Sequence, residues 1–142
     1  MKFTFFLLAA LILAAVSCSK SGSGKPEISI QSINTIIPYN GELDAVLKFT
    51  DKKGDLGNGT FTAIIVNLNQ QPPTNLLTDT IVSSIPSFPG NTSGQLEFTL
   101  PAGNFQEHAT QNDTLRIKFS ATDASGITSD TIISPIIVAL YQ

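Results

Sequence analysis

From Pro26 onward, apolar and polar residues alternate in short runs. Leu43, Ala45, Leu47 and Phe49 alternate with Asp44, Val46 and Lys48. Leu96, Phe98 and Leu100 alternate with Gln95, Glu97 and Thr99, and Leu115, Ile117, Phe119 and Ala121 with Arg116, Lys118, Ser120 and Thr122. A period of two with one apolar face describes a half-buried strand. The pattern predicts seven strands, over 27–33, 42–50, 60–67, 78–85, 95–100, 114–122 and 128–140. In the third, Ile64-Ile65-Val66 reads as a central strand covered on both faces. Pro135 falls inside the last. It has no amide proton for a ladder, so that strand is expected to be bulged or on an edge. Gly, Pro, Asn and Asp fill the intervals 51–59, 70–75, 86–94, 101–112 and 123–126, with one helical turn expected within 103–109.

Seven short strands separated by turns predict an all-β fold, an immunoglobulin-like antiparallel β-sandwich over 26–142, with a closed barrel as the alternative. The composition agrees. After residue 17 there are 27 Ser and Thr and 15 Ile, and β-branched Thr and Ile favour strands. With no tryptophan and a single cysteine, this is not an antibody-type domain, and aliphatic and Phe packing must hold its core.

The first 17 residues are different. Lys2 precedes Thr4–Val16, in which twelve of thirteen residues are apolar. That run is shorter than the roughly 20 residues a membrane-spanning helix needs, and it fits the apolar region of a secretion signal. It ends in Ala15-Val16-Ser17-Cys18, small residues before the chain's one cysteine, which resembles the lipobox of bacterial lipoproteins. That resemblance implies cleavage before Cys18, lipidation of its thiol, and a membrane anchor of several acyl chains. It departs from the family pattern at Ala15, where Leu is preferred. Ordinary cleavage after Ser17 would instead leave a free thiol. Ser19-Lys-Ser-Gly-Ser-Gly-Lys25 then reads as a flexible tether, so that 18–25 link the anchor to the domain. Removing the leader leaves 142 − 17 = 125 residues with 7 basic and 11 acidic side chains, a net −4. That balance opposes nucleic-acid binding, which needs a basic face. The lone cysteine excludes an internal disulfide.

Three stretches resemble a known group. Phe49-Thr-Asp-Lys-Lys-Gly-Asp-Leu-Gly57 resembles the F-T-D-x-x-G-D-[IL]-G element of uncharacterised Bacteroidetes lipoproteins. Ser93-Gly-Gln-Leu-Glu-Phe98 is similar to the strand after a Pro-rich loop in those proteins. Asp113-Thr-Leu-Arg-Ile117 and Asp123-Ala-Ser-Gly-Ile-Thr-Ser129 are similar to their D-T-[LV]-R and D-x-A-G-N-x-S endings, with Ala-Ser-Gly for the usual Arg-Ala-Gly and Ile127 in place of Asn. The resemblance implies an Ig-like fold and a lipoprotein of the cell envelope, attached to the outer membrane, and carries no activity. Ser19-Lys20-Ser21 follow the cysteine where some surface-exported members carry acids. The side of the membrane it faces stays open.

The loop 51–59 is the main chemical constellation. Asp51, Asp55 and Asn58 offer hard oxygen ligands among glycines, as calcium prefers. In an Ig-like sandwich the loops after the second and sixth predicted strands share one end. That brings Asp51 and Asp55 toward Asp123, with Asp130 near, as a three-carboxylate calcium site. The same aspartates serve equally well as turn formers that cap loop amides. His108, beside Glu107, reads as a solvated loop histidine. Phe88, between Pro86 and Pro89, either stands out as a contact for protein or glycan or folds back over the core edge. No G-x-S-x-G elbow occurs, and the acidic side chains form no glycosidase pair by spacing. The expectation is therefore a non-enzymatic envelope module that binds or scaffolds a protein partner, with a glycan-binding accessory module as the alternative.

Overall fold

The computed structural model describes residues 24–69, 80–104, 108 and 110–142. Nine strands form two sheets: β1 (Glu27–Ile33), β2 (Ile36–Ile37), β3 (Glu42–Thr50), β4 (Thr60–Asn67), β5 (Thr80–Ser84), β6 (Ser93–Pro101), β7 (Asp113–Thr122), β8 (Ile132–Ile133) and β9 (Ile137–Ala139). One sheet has the order β1-β3-β6. The other runs β2-β9-β7-β4-β5, with β8 also on β7. All pairings are antiparallel except the two-residue match of β2 to β9. The fold is an Ig-like β-sandwich.

The alternation seen in the sequence sets the layers. In β3, Leu43, Ala45, Leu47 and Phe49 are buried, while the intervening positions are exposed or half-buried. In β7, Asp113, Leu115, Ile117, Phe119 and Ala121 all face inward. β1 breaks the period with a bulge between Ile30 and Ser32, which lets Ile33 as well as Ile28 and Ile30 reach the core. Phe98 of the three-stranded sheet meets Phe61 and Phe119 of the other, with ring centroids 5.7 and 5.6 Å away. Phe61 and Phe119 lie 5.6 Å apart. This Phe trio knits the two sheets where Trp and a disulfide are lacking, each pair adding about 0.5–1.5 kcal/mol beyond area burial.

β1, β3 and β4 match the sequence expectation to the residue. The count of seven does not hold. β2 is two residues long, too short to show a period. The last expected strand divides into β8 and β9 around Pro135. Where it leaves the ladder, buried serines replace backbone acceptors. Ser129 Oγ accepts from Ala121 N at 3.0 Å, and Ser134 Oγ accepts from Ile117 N at 2.9 Å. A 3-10 turn at Ala102–Asn104 overlaps only the first two residues of the helical turn expected within 103–109; residues 105–107 and 109, like 78–79 at the start of the fourth expected strand, lie outside the described residues.

The reading of β4 as covered on both faces needs correction. It is flanked on both edges, by β5 and β7. Ile65 packs against the core, but Ile64 and Val66 are only half-buried and point to the outer side.

Candidate functional site

The loops 51–59 and 123–126 meet at one end of the sandwich, as the topology predicts. Asp51 is 1% exposed. Its Oδ1 accepts from Lys53 N at 3.1 Å and its Oδ2 from Asp55 N at 2.8 Å. Its carbonyl accepts from Gly54 N at 3.0 Å, a turn that Gly54 closes with φ 68°. Asp123 repeats the device just after β7. Oδ1 accepts from Ile127 N at 2.8 Å, and the carbonyl accepts from Gly126 N at 3.0 Å. Asp55 joins the two loops. Its carbonyl accepts from Ala124 N at 2.9 Å, and the Ser125 hydroxyl donates to its carboxylate. That hydroxyl holds the Asp55 carboxyl below its usual range, against partial burial that pushes it up and with help from Asp51 and Lys53. Gly59 seats the loops together, since a Cβ there would fall 2.0 Å from the Thr122 carbonyl oxygen.

The aspartates therefore act as caps and locks of two turns. Asp55 Oδ1 and Asp123 Oδ2 are buried with no donor among the described residues. Among those residues no three His, Cys, Asp or Glu side chains gather as a metal-holding group. Asp130 stands apart, 90% exposed in its side chain and paired with Lys25. A Cβ at Gly24 would touch the Lys53 side chain, so the chain enters the domain at this same end.

Phe88 takes the second of its two expected positions. Its ring stacks on Phe49 at 5.3 Å and packs against the core. Beside it a cleft of about 520 Å³ opens between the free edges of β5 and β6, with Phe61, Phe98, Ile81 and Leu96 among its walls. His108 is not a solvated loop side chain. It is 14% exposed and pairs through Nδ1 with Asp113, which is 1% exposed. Asp113 also accepts from His108 N at 3.2 Å and from the Asn67 amide at 3.4 Å. The signal was present in the sequence: Asp113 occupies the inward phase of β7, and a buried carboxylate needs donors. Glu107 and Cys18 lie outside the described residues.

Two further surface features escaped the sequence reading. The only two tyrosines, Tyr39 and Tyr141, are 48% and 47% exposed. Both follow the β2–β9 pair at the end of the sandwich away from the loops just described. Tyr39 enters a turn in which Gly41 N donates to Pro38 O at 2.8 Å, and Tyr141 N donates to Asn112 Oδ1 at 3.1 Å. The other large exposed side chains include Ile36, Val82, Ile133 and Ile136, all belonging to the six-stranded sheet or its connections.

No family model matches the chain, and no curated protein matches it by sequence. Solved structures are similar in fold. A β-glucosidase from Listeria innocua, in its glucose complex, superposes with a TM-score of 0.54 at 10% identity. Its gluconolactone complex gives 0.53 at 9%. The match covers 82% of this chain and 16% of the glucosidase, so the chain spans less than a fifth of that enzyme's length. A cohesin module from a family 33 glycoside hydrolase of Clostridium perfringens matches with a TM-score of 0.42 at 11% identity, covering 84% of this chain and 100% of the module. At such identities the likeness speaks to fold alone.

Proposed function

We propose that this chain is a non-enzymatic binding module, anchored to the cell envelope through a lipid on Cys18 and holding a protein partner. The observation that carries the reading is exposed aliphatic surface on a well-packed sandwich. Ile36, Val82, Ile133 and Ile136 are 48–64% exposed, while the core side chains below them are nearly inaccessible. Apolar surface that gathers on one side of a packed domain marks an interaction site. The one buried histidine–carboxylate pair supports the non-enzymatic part, because Asp113 spends its oxygens on His108 and Asn67. The glycan alternative keeps one specific observation in its favour, the pair of half-exposed tyrosines at the far end.

Two measurements test the proposal. Wild-type protein is expected in the detergent phase on phase partitioning, and Cys18→Ala in the aqueous phase. Identical partitioning would refute the anchor. Purification of the acylated protein from its native membrane is expected to bring down one protein in fixed ratio. Bound oligosaccharide without a protein would favour the glycan module.

A further inference from the structure

The outward positions of the six-stranded sheet set Ile36, Ile64, Val66, Val82, Ile133 and Val138 among Thr and Ser, with two cations. Register places Lys118 between Ile64 and Ile133 in one row and Arg116 beside Val66 in the next. Val138 lies between Ile36 and Thr114 beyond them. Val82 sits opposite Thr62 near the β5 edge. Asp130, the exposed acid of the β7–β8 connection, is paired with Lys25. Among the described residues of the sheet's strands, Arg116 and Lys118 are the only outward charged side chains. That is unusual in a chain whose mature part carries 11 acids against 7 bases.

Strand propensity alone does not require these aliphatics, because the other sheet fills its outward positions chiefly with Ser, Gln, Thr and Glu. The sequence carries the same message. Ile36-Ile37, Ile64-Ile65-Val66, Ile132-Ile133 and Ile136-Ile137-Val138 are runs of consecutive β-branched residues, and all lie in or beside strands of the six-stranded sheet. Each run sends one member to the core and at least one outward. Such runs belong to strands covered on both faces.

We infer that the outer face of the six-stranded sheet docks a partner protein whose contact surface is aliphatic and carries carboxylates placed to meet Arg116 and Lys118. This rests on the binding-module reading and names its surface. Charge selects among occupants. A second copy of the chain packed through the same face would bring four cations into one apolar contact with no counter-charge, which burial penalises. A lipid surface is a poorer fit, because this face carries no Tyr or Trp for the headgroup region. The 30 residues of its six strands, each covering about 3.3 Å by 4.8 Å, present on the order of 500 Å² in projection, somewhat below the ~800 Å² per partner of a standard interface.

The test uses the full acylated chain in its native membrane. A photo-reactive phenylalanine is placed at Ile133 and, separately, at Gln95 on the opposite outer face. The expected result is a discrete protein adduct from position 133 only. Its cross-linked peptide should contain aliphatic residues and at least one Asp or Glu. Arg116→Glu with Lys118→Glu should lower the yield at least tenfold, with the melting temperature unchanged. Adducts to lipid, adducts to a second copy, or a yield indifferent to the charge reversal would overturn the assignment. A protein adduct from position 95 alone would overturn this surface and leave the binding-module reading standing. No protein adduct from either position would remove both.

Discussion

The two outer faces of the sandwich are built on the same core and differ in almost everything else. The three-stranded sheet turns Glu27, Glu42, Asp44 and Glu97 to solvent with Lys48 as the one base, and among aliphatics offers only the half-buried Val46 from its central strand. The six-stranded sheet turns out Ile and Val around Arg116 and Lys118. Folding asks only that each strand keep one apolar face, and both sheets do so. The second apolar face of the larger sheet is surplus to the monomer's stability. Such surplus is what an interaction surface leaves in a sequence.

The contrast can be attacked from the inside first. Phe119 serves both sheets, so Phe119→Ala should cost about 3–5 kcal/mol and set the scale against which either face is judged. The shift of the urea midpoint measures it. Next comes the loop junction common to both sheets. Gly59→Ala drives a methyl into the Thr122 carbonyl and should cost about 1–3 kcal/mol, whereas Gly103→Ala, with nothing within 4 Å, should be close to neutral. Thermal melts of the two variants compare them directly. Polar bonds then separate the sheets. Ser134→Ala strands the buried Ile117 amide of the larger sheet and should cost about 1–2 kcal/mol. Thr99→Val, which loses an exposed bond to Asp44 on the smaller sheet, should stay within about 0.5 kcal/mol.

Smaller effects concern the loops. The folded state depresses the Asp55 carboxyl, so its contribution is present above the unfolded value near 3.9 and lost as pH falls through the lower folded value. Asp55→Asn should therefore flatten the acid limb of the stability profile, read as urea midpoints between about pH 5 and 2. An unchanged limb would show that Ser125 does not favour the ionised form. Millimolar calcium should leave the melting temperature where chelator leaves it, because Asp51 and Asp123 already serve backbone amides. A rise of several degrees would support the calcium reading of Asp51, Asp55 and Asp123.

Much of this was legible before any coordinates. Alternation and the flanking turn residues located β1, β3 and β4 to the residue, most cleanly in β3, whereas β1 carries a bulge and β4 the Ile64-Ile65-Val66 run. β2 escaped because two residues show no period. Pro135 points to a bulge or an edge in the last strand, whereas the strand breaks there into β8 and β9, and the hydroxyls of Ser129 and Ser134 standing in for carbonyls depend on tertiary placement. The meeting of loops 51–59 and 123–126 followed from topology, and the Asp caps from turn chemistry. His108 was misread because its partner, Asp113, is identified only once the phase of β7 is trusted over the usual exposure of aspartate. The outer-face contrast was hidden in a different way. Of the Ile-Val runs, only Ile64-Ile65-Val66 reads in the sequence as a covered strand, whereas the segregation of charge appears only when register lays Lys118 beside Ile64.

One feature of the entry point gives the molecule an orientation. The chain joins the sandwich beside Lys53, at the strand ends, and Cys18 stands six residues before Gly24. Six residues span at most about 20 Å. With Cys18 as the anchor under our proposal, this tether lets the domain stand on its end with its strands rising from the bilayer. Both broad faces then look sideways, along the membrane rather than away from it. A partner for the aliphatic face would be met by lateral diffusion among neighbours in the same sheet of lipid. Two-dimensional confinement would then raise its effective concentration far above that of a freely dissolved protein.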